Sequence, residues 1–308
     1  MPQSDSNEAR PASRQRKVVL VTGCSSGIGR ATVKVLAQRG HLVYATARRP
    51  ESVAELQNQF SQAEGHVVAC SLDVTDPHSL DAVAQRVQRE HGKLDVLVNN
   101  AGYGEFGAVE DVPIEQWRQQ FETNVFGIVR TTQTFLPLLR AAGEARRAAR
   151  LIIVSSAVAH MTTPLMGTYN ASKHATRSVA AALRMELARW GIDVIEIEPG
   201  FIATSFRANV QQHIQQTPRR TPFYQDAYAA FEARWQRLTS GKLAQPLEVA
   251  NAIRQAVEAR RPRACYRVTL AAKMVPVLAL LMPRRALAWA TLRIFGLRST
   301  LGRRIRRE

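Results

Sequence analysis

The sequence is poor in cysteine, in acids toward its end, and in apolar runs long enough to cross a bilayer. Cys24, Cys70 and Cys265 are the only cysteines, odd in number and without a CxxC pair, which excludes a disulfide framework and a thiolate zinc site. Its seven histidines show neither HExxH nor Cys/His ligand spacing, so no metal site is encoded. This cysteine usage fits a reducing, cytoplasmic setting. Residues 1–16 lack an apolar stretch, which argues against a secretory signal; being polar, with Pro and Ser, they read as a disordered arm. No internal repeat or low-complexity tract is present.

The shortage of acid is local. Against 42 Lys and Arg stand 25 Asp and Glu, a net charge of +17. From Arg260 onward there are 13 cations and a single acid, Glu308, so an excess of 12 lies there. The basicity therefore belongs to a tail and says little about what the main body binds. No nucleic-acid reading motif accompanies it, and a nucleic-acid partner is not expected.

What is present describes an ordinary globular chain: 308 residues, 45% apolar and 22% charged, the size of one α/β domain with an extension. Short β-branched runs at 17–22, 42–47, 66–72, 94–99, 151–155 and 192–198 alternate with helical patterns at 28–37, 52–62, 77–90, 114–139 and 167–190. A further helix at 247–259 and a seventh strand at 264–269 follow. Such alternation implies parallel strands joined by crossovers, hence an α/β, Rossmann-like doubly wound sheet of about seven strands. The expectation is one domain over 17–270 with a basic helical extension over 271–308.

Three clusters carry chemistry. The first is Gly23-Cys24-Ser25-Ser26-Gly27-Ile28-Gly29, between the first strand and the first helix. Glycine there permits a tight turn and close backbone approach, while the helix N-terminus offers N–H groups to a pyrophosphate. Its GxxxGxG spacing differs from the GxGxxG fingerprint. In the second cluster, the second strand ends Ala47-Arg48-Arg49 with no acid for a ribose 2′-hydroxyl. Guanidiniums suit a 2′-phosphate instead, favouring NADP(H) over NAD. The third cluster, Tyr169-Asn170-Ala171-Ser172-Lys173, puts a phenol and an ammonium on one helical face. The ammonium, together with a cationic nicotinamide, is expected to draw the phenol's pKa down toward the working range.

Together with Asn99-Asn100-Ala101-Gly102 and Pro199-Gly200 followed by Thr204, these motifs resemble the short-chain dehydrogenase/reductase family over about residues 17–270. The segments GCSSGIG and VYATARRP look like its 17β-hydroxysteroid and retinol dehydrogenase branch. The resemblance implies that Tyr169 is the acid/base, that Lys173 tunes it and bonds the nicotinamide ribose, and that Asn124 supports a proton relay through water. It also implies that Ser156 holds the substrate oxygen, with Ser155 as the rival. Cofactor contacts would come from Gly23, Ser25, Ser26, Gly27, Ile28, Gly29, Asp73, Val74, Asn100, Ala101, Gly102, Pro199, Gly200, Ile202 and Thr204, with Arg48 and Arg49 selecting NADP(H). The implied reaction interconverts an alcohol with a ketone or aldehyde in a homodimer or homotetramer built on the two long helices.

The aromatics of 201–241 suggest an apolar pocket, hence a lipophilic substrate such as a steroid, retinoid or long-chain alcohol; ordinary core packing is the alternative. The tail's apolar pieces, 273–283 and 286–297, are too short to span a bilayer. They are suited either to peripheral contact with an anionic membrane or to packing over the cleft or a subunit partner. A dinucleotide-binding regulator or membrane-surface scaffold without turnover is the competing function.

Overall fold

A computed structural model of the chain describes residues 16–62, 66–146, 149–204, 222–241 and 243–298. The arm at 1–15 and the basic end at 299–308 lie outside the described residues, as do 205–221 of the aromatic segment.

Seven strands form one all-parallel sheet: β1 (Val18–Val21), β2 (Leu42–Ala47), β3 (Val67–Ser71), β4 (Val96–Asn99), β5 (Ala149–Val154), β6 (Ile192–Glu198) and β7 (Cys265–Arg267), in the order β3-β2-β1-β4-β5-β6-β7. Parallel neighbours require crossovers, and helices supply them on both faces. These are α1 (Gly27–Ala37), α2 (Pro50–Gln59), α3 (Pro77–His91), α4 (Ile114–Phe121), α5 (Gly127–Arg146) and α6 (Gly167–Leu187). Successive strand residues point to opposite faces. Leu20, Leu97 and Leu151 accordingly pack with Val83, Phe135 and Leu139, while Val19, Val98 and Ile152 pack with Val33, Leu36 and Ile253. Because β1 lies between β2 and β4, chain order reverses there, and a crevice opens above the carboxyl ends of β1 and β4.

Two elements differ from the sequence reading. The helix expected over 114–139 is interrupted by a π-turn, Glu122–Phe126, between α4 and α5. Such a turn shifts the register of one helical face, and here it carries Asn124, whose carbonyl oxygen accepts from Thr176 Oγ1 at 3.1 Å. The second difference is a helix within the aromatic segment, α7 (Gln225–Ser240). Tyr228, Phe231 and Trp235, spaced three and four apart, form its buried face.

Helix α8 (Pro246–Glu258) covers the sheet beside α1. The tail then forms α9 (Leu270–Leu281) and α10 (Arg284–Ile294). Leu292, Phe295 and Leu297 enter a third apolar cluster with Phe106, Tyr169, Phe231 and Trp235. Part of the tail is thus core for the end of the domain that holds the crevice.

Gly143 is the closest approach of α5 to the 3₁₀ turn Ala188–Trp190: a Cβ there would enter the van der Waals shell of the Trp190 carbonyl oxygen. Overpacking against backbone outweighs the better helix propensity of alanine. Gly143→Ala should cost about 1–3 kcal/mol, lowering the calorimetric melting temperature by roughly 2–4 °C per kcal/mol. An unchanged or higher melting temperature would show the contact to be looser than described.

Candidate active site

The crevice is a cleft of about 1270 Å³ running from the turn after β1, past the ends of β4 and β5, to α7 and the tail. Its phosphate end is built by backbone constraint. Gly23 and Gly27 have φ of 71° and 55°, which glycine adopts without strain. A Cβ on Gly29 would collide with the Gly23 carbonyl oxygen, so the turn closes only on glycine. Asn100 fastens it from β4, its Nδ2 donating to the carbonyls of Thr22 and Gly23 at 2.8 and 3.0 Å. Thr22 Oγ1 in return accepts from the N–H groups of Asn100 and Ala101, each at 3.0 Å. The start of α1 faces the cleft, with Ser26, Gly27 and Ile28 on its wall, and a helix N-terminus offers N–H groups to an anion. Cys24 is a buried plug whose Sγ donates to Val21; burial pushes its thiol up to about 12.

These features fit a dinucleotide. Gly23, Ser25, Ser26, Gly27, Ile28, Asn100, Ala101 and Gly102 line the cleft, as do Asp73, Val74, Pro199, Gly200, Ile202 and Thr204. Gly29 is buried beneath the turn, shaping it without facing the cleft. Arg48 lies on the cleft wall with its side chain 75% exposed and its Nε 3.9 Å from Asp73 Oδ2. Arg49, the exposed N-cap residue of α2, does not line the wall.

At the other end, α6 brings Tyr169 and Lys173 beneath the carboxyl end of β5. The helix starts from Leu165, a non-glycine residue at φ 62°, whose carbonyl accepts from Gly107 N–H at 2.9 Å and aligns 107 beside Met166. Ser156 caps the 3₁₀ turn Ala157–Ala159 and hydrogen-bonds Tyr169. Ser155 instead has a buried Oγ without a hydrogen-bond partner among the described residues. Ser156 is therefore the serine placed with the phenol. Lys173 Nζ donates to the Val154 carbonyl at 3.1 Å and lies 5.9 Å from the centre of the Tyr169 ring.

The lowering expected from sequence invokes the nicotinamide as well as the ammonium; burial within the protein acts the other way on the phenol. Burial pushes Tyr169 up to about 12, opposed by its hydrogen bond to Ser156. Burial likewise pulls Lys173 down to about 8. Desolvation disfavours the charged form of both groups. The protein by itself holds Tyr169 as a neutral phenol.

Asn124 lies off the cleft wall. Its amide donates to the Tyr103 carbonyl at 2.8 Å and to Ser172 Oγ at 3.2 Å, and its Oδ1 accepts from Tyr103 N–H at 3.1 Å. Both amide hydrogens are thus used in holding the loop after β4 against α6.

The sequence reading missed much of the substrate end of the cleft, which includes Met161, Met166, Trp235, Val275, Ile294 and Phe295. Phe106 stacks on Tyr169 at 5.7 Å, and Trp235, Phe231 and Phe295 continue the ring contacts at 6.2, 5.7 and 5.6 Å. The 228/231/235 spacing was the available signal for α7; Phe106 had none. For the tail, packing over the cleft, one of the two readings, describes Ala271, Val275, Ile294 and Phe295, which line it.

Comparison with known proteins gives a consistent result. Residues 17–215 match the family model described as short chain dehydrogenase. The chain is 34% identical to an NADPH-dependent 3-dehydrocapnine reductase of Ornithobacterium rhinotracheale over 88% of this chain and 94% of that protein. Among solved structures, a short-chain dehydrogenase from Streptomyces avermitilis is 30% identical with a TM-score of 0.72, covering 91% of this chain and 98% of that one. A short-chain dehydrogenase/reductase from Burkholderia phymatum in complex with NAD is 26% identical with a TM-score of 0.73, covering 87% and 94%. The chain belongs to the short-chain dehydrogenase family of oxidoreductases.

Proposed function

We propose that the chain is an NADP(H)-dependent reductase of a lipophilic ketone or aldehyde, with Tyr169 as proton donor. The observation that carries this reading is the meeting of Ser156, Tyr169 and Lys173 in the same cleft as the glycine turn. Bound NADPH would supply the hydride, held by the glycine turn, by Lys173 and by the segment from Pro199 to Thr204. The hydroxyls of Ser156 and Tyr169 then point a pair of hydrogen bonds at a carbonyl oxygen, polarising it and placing its charge where it develops. Tyr169 passes its proton to that oxygen. A phenol held neutral suits a proton donor to the carbonyl oxygen. Lys173 holds positive charge beside the phenol as it loses its proton, and Asn124 serves by fixing the loop at Tyr103 and the helix at Ser172.

Cofactor choice rests on Arg48, the absence of an acid at the end of β2, and the NADPH-dependence named for the Ornithobacterium relative. Substrate class rests on the apolar wall formed by Met161, Met166, Trp235, Val275, Ile294 and Phe295, together with that relative's being a reductase of a dehydro compound. Of the lipophilic substrates open from sequence, a long-chain ketone fits best a wall that extends from Tyr169 out to the tail.

Replacing Tyr169 by Phe should lower kcat for NADPH-linked reduction of a lipophilic ketone by about 10²- to 10⁴-fold while leaving NADPH affinity, read by fluorescence, nearly unchanged. Retained turnover would remove Tyr169 from the chemistry. Arg48→Glu should weaken NADPH more than NADH, and equal losses would deny the arginine a role in selection.

Lys173 also predicts a pH-dependent stability. Its folded pKa of about 8 lies below the ordinary 10.5. Below pH 8 both states are protonated and the native state carries the whole desolvation penalty; as pH rises from about 8 toward 10.5 the native state alone sheds the proton and stability increases. Lys173→Met should thus melt a few °C higher than the native chain at pH 7, with the gap narrowing above pH 8. A gap that widens with pH would contradict the buried-ammonium assignment.

A further inference from the structure

Helix α9 is almost entirely apolar, yet of its residues only Ala272 is buried. Leu270, Met274, Val277, Leu278 and Leu281, at i, i+4, i+7, i+8 and i+11, form a stripe on the side opposite Ala272. Leu270 is 75%, Leu280 84% and Leu281 73% exposed. So much aliphatic surface gathered on one helix is the mark of an interaction site and not of scattered surface leucines.

The surroundings identify the partner by charge. Lys273 lies on the helix itself, and Arg284 and Arg285 follow its end; all three are exposed. Trp289 on α10 has the guanidiniums of Arg293 and Arg298 over its ring at 5.4 and 5.3 Å. No Asp or Glu occurs between Glu258 and Glu308. A second copy of this face would meet it with like charge, whereas an anionic lipid surface offers hydrocarbon to the stripe and phosphate to the cations. Among the described residues no helix is long and apolar enough to cross a membrane, and the 12-residue α9 is suited to lie in the plane of the surface.

We propose that the α9–α10 hairpin docks the chain onto anionic bilayers, α9 lying in the headgroup boundary. Ala271 and Val275 flank the stripe and also line the cleft, with Ile294 and Phe295 beside them. Docking by this face therefore sets the apolar end of the cleft against the bilayer, from which a lipophilic carbonyl compound can enter without crossing water.

The test is flotation of the full chain with vesicles of phosphatidylcholine alone or with about one-third phosphatidylglycerol, comparing the native chain with Leu278→Glu/Leu281→Glu and Lys273→Glu/Arg284→Glu. All four positions are exposed, and an unchanged melting temperature verifies each fold. The native chain should float with the anionic vesicles, and its bound fraction should fall about tenfold or more on neutral vesicles, in ~0.5 M salt, or with either pair of substitutions. Binding needs no turnover, so its outcome is separate from that of the reductase reading. The proposal is overturned if the native chain fails to float with anionic vesicles, or if both substituted forms float equally well. It is likewise overturned if sedimentation shows a dimer that Leu278→Glu/Leu281→Glu dissociates, which would assign the face to a second copy.

Discussion

The dryness around Tyr169 and Lys173 is the constraint on which the site depends. Water would return the phenol and the ammonium to their ordinary ionisation; burial keeps one at about 12 and the other at about 8. That burial is not supplied by α6 alone. Phe106 stacks on the phenol, Trp235 contacts Phe106, and Phe231 and Phe295 stand behind Trp235. The loop after β4, helix α7 and the end of the tail thus all contribute walls to one pair of titratable groups. A buried ammonium whose Nζ donates to the Val154 carbonyl is costly to the fold. The sheet offsets it, its strands packed on both faces, and the site stores the cost as a charge poised to respond when the phenol gives up its proton.

At the opposite end of the cleft the constraint is geometric. Four hydrogen bonds join Asn100 and Ala101 to Thr22 and Gly23 across the seam between β1 and β4. The glycine turn is therefore held by the very sheet reversal that creates the crevice. The residues from Asn100 to Gly102 look in sequence like cofactor contacts; in the fold they also brace the turn, since Gly23 and Gly102 admit no Cβ without crowding Ala101 and Asn124. Binding surface and scaffold are the same atoms here, which removes slack from the placement of a pyrophosphate.

Legibility from sequence followed the range of the interactions. Strands and crossovers were readable because period-2 and period-3.6 patterns are local, and all seven strands lie within a few residues of where the pattern puts them. The glycine turn and the Tyr169/Lys173 pair were readable because spacing along one element fixes their geometry. The π-turn at Asn124 was not, since the register shift is sustained by Thr176 from another helix. The burial around Tyr169 was not legible either: one helical face displays the ammonium to a reader of sequence but hides Phe106, which stacks on the phenol from 63 positions away in the chain. Arg48 and Arg49 were indistinguishable as letters and differ only in the fold, where Arg48 lines the cleft and Arg49 is the N-cap residue of α2.

The tail brings these lines together. Its inner side, through Phe295, Ile294 and Val275, belongs to the cleft, and its outer side, through the α9 stripe, belongs to the surroundings. A segment built that way cannot be optimised for solvent: α9, a helix of little more than three turns, leaves most of its apolar residues outside the core of the domain. Gly200 sharpens the point, for a Cβ there would strike Thr269, the N-cap of α9. The glycine that borders the cofactor end of the cleft is thus also the one that lets α9 sit down over it. Movement of α9 by even an ångström would be felt at the wall of the catalytic cleft, so whatever covers the exposed stripe also sets the shape of the space in front of Tyr169.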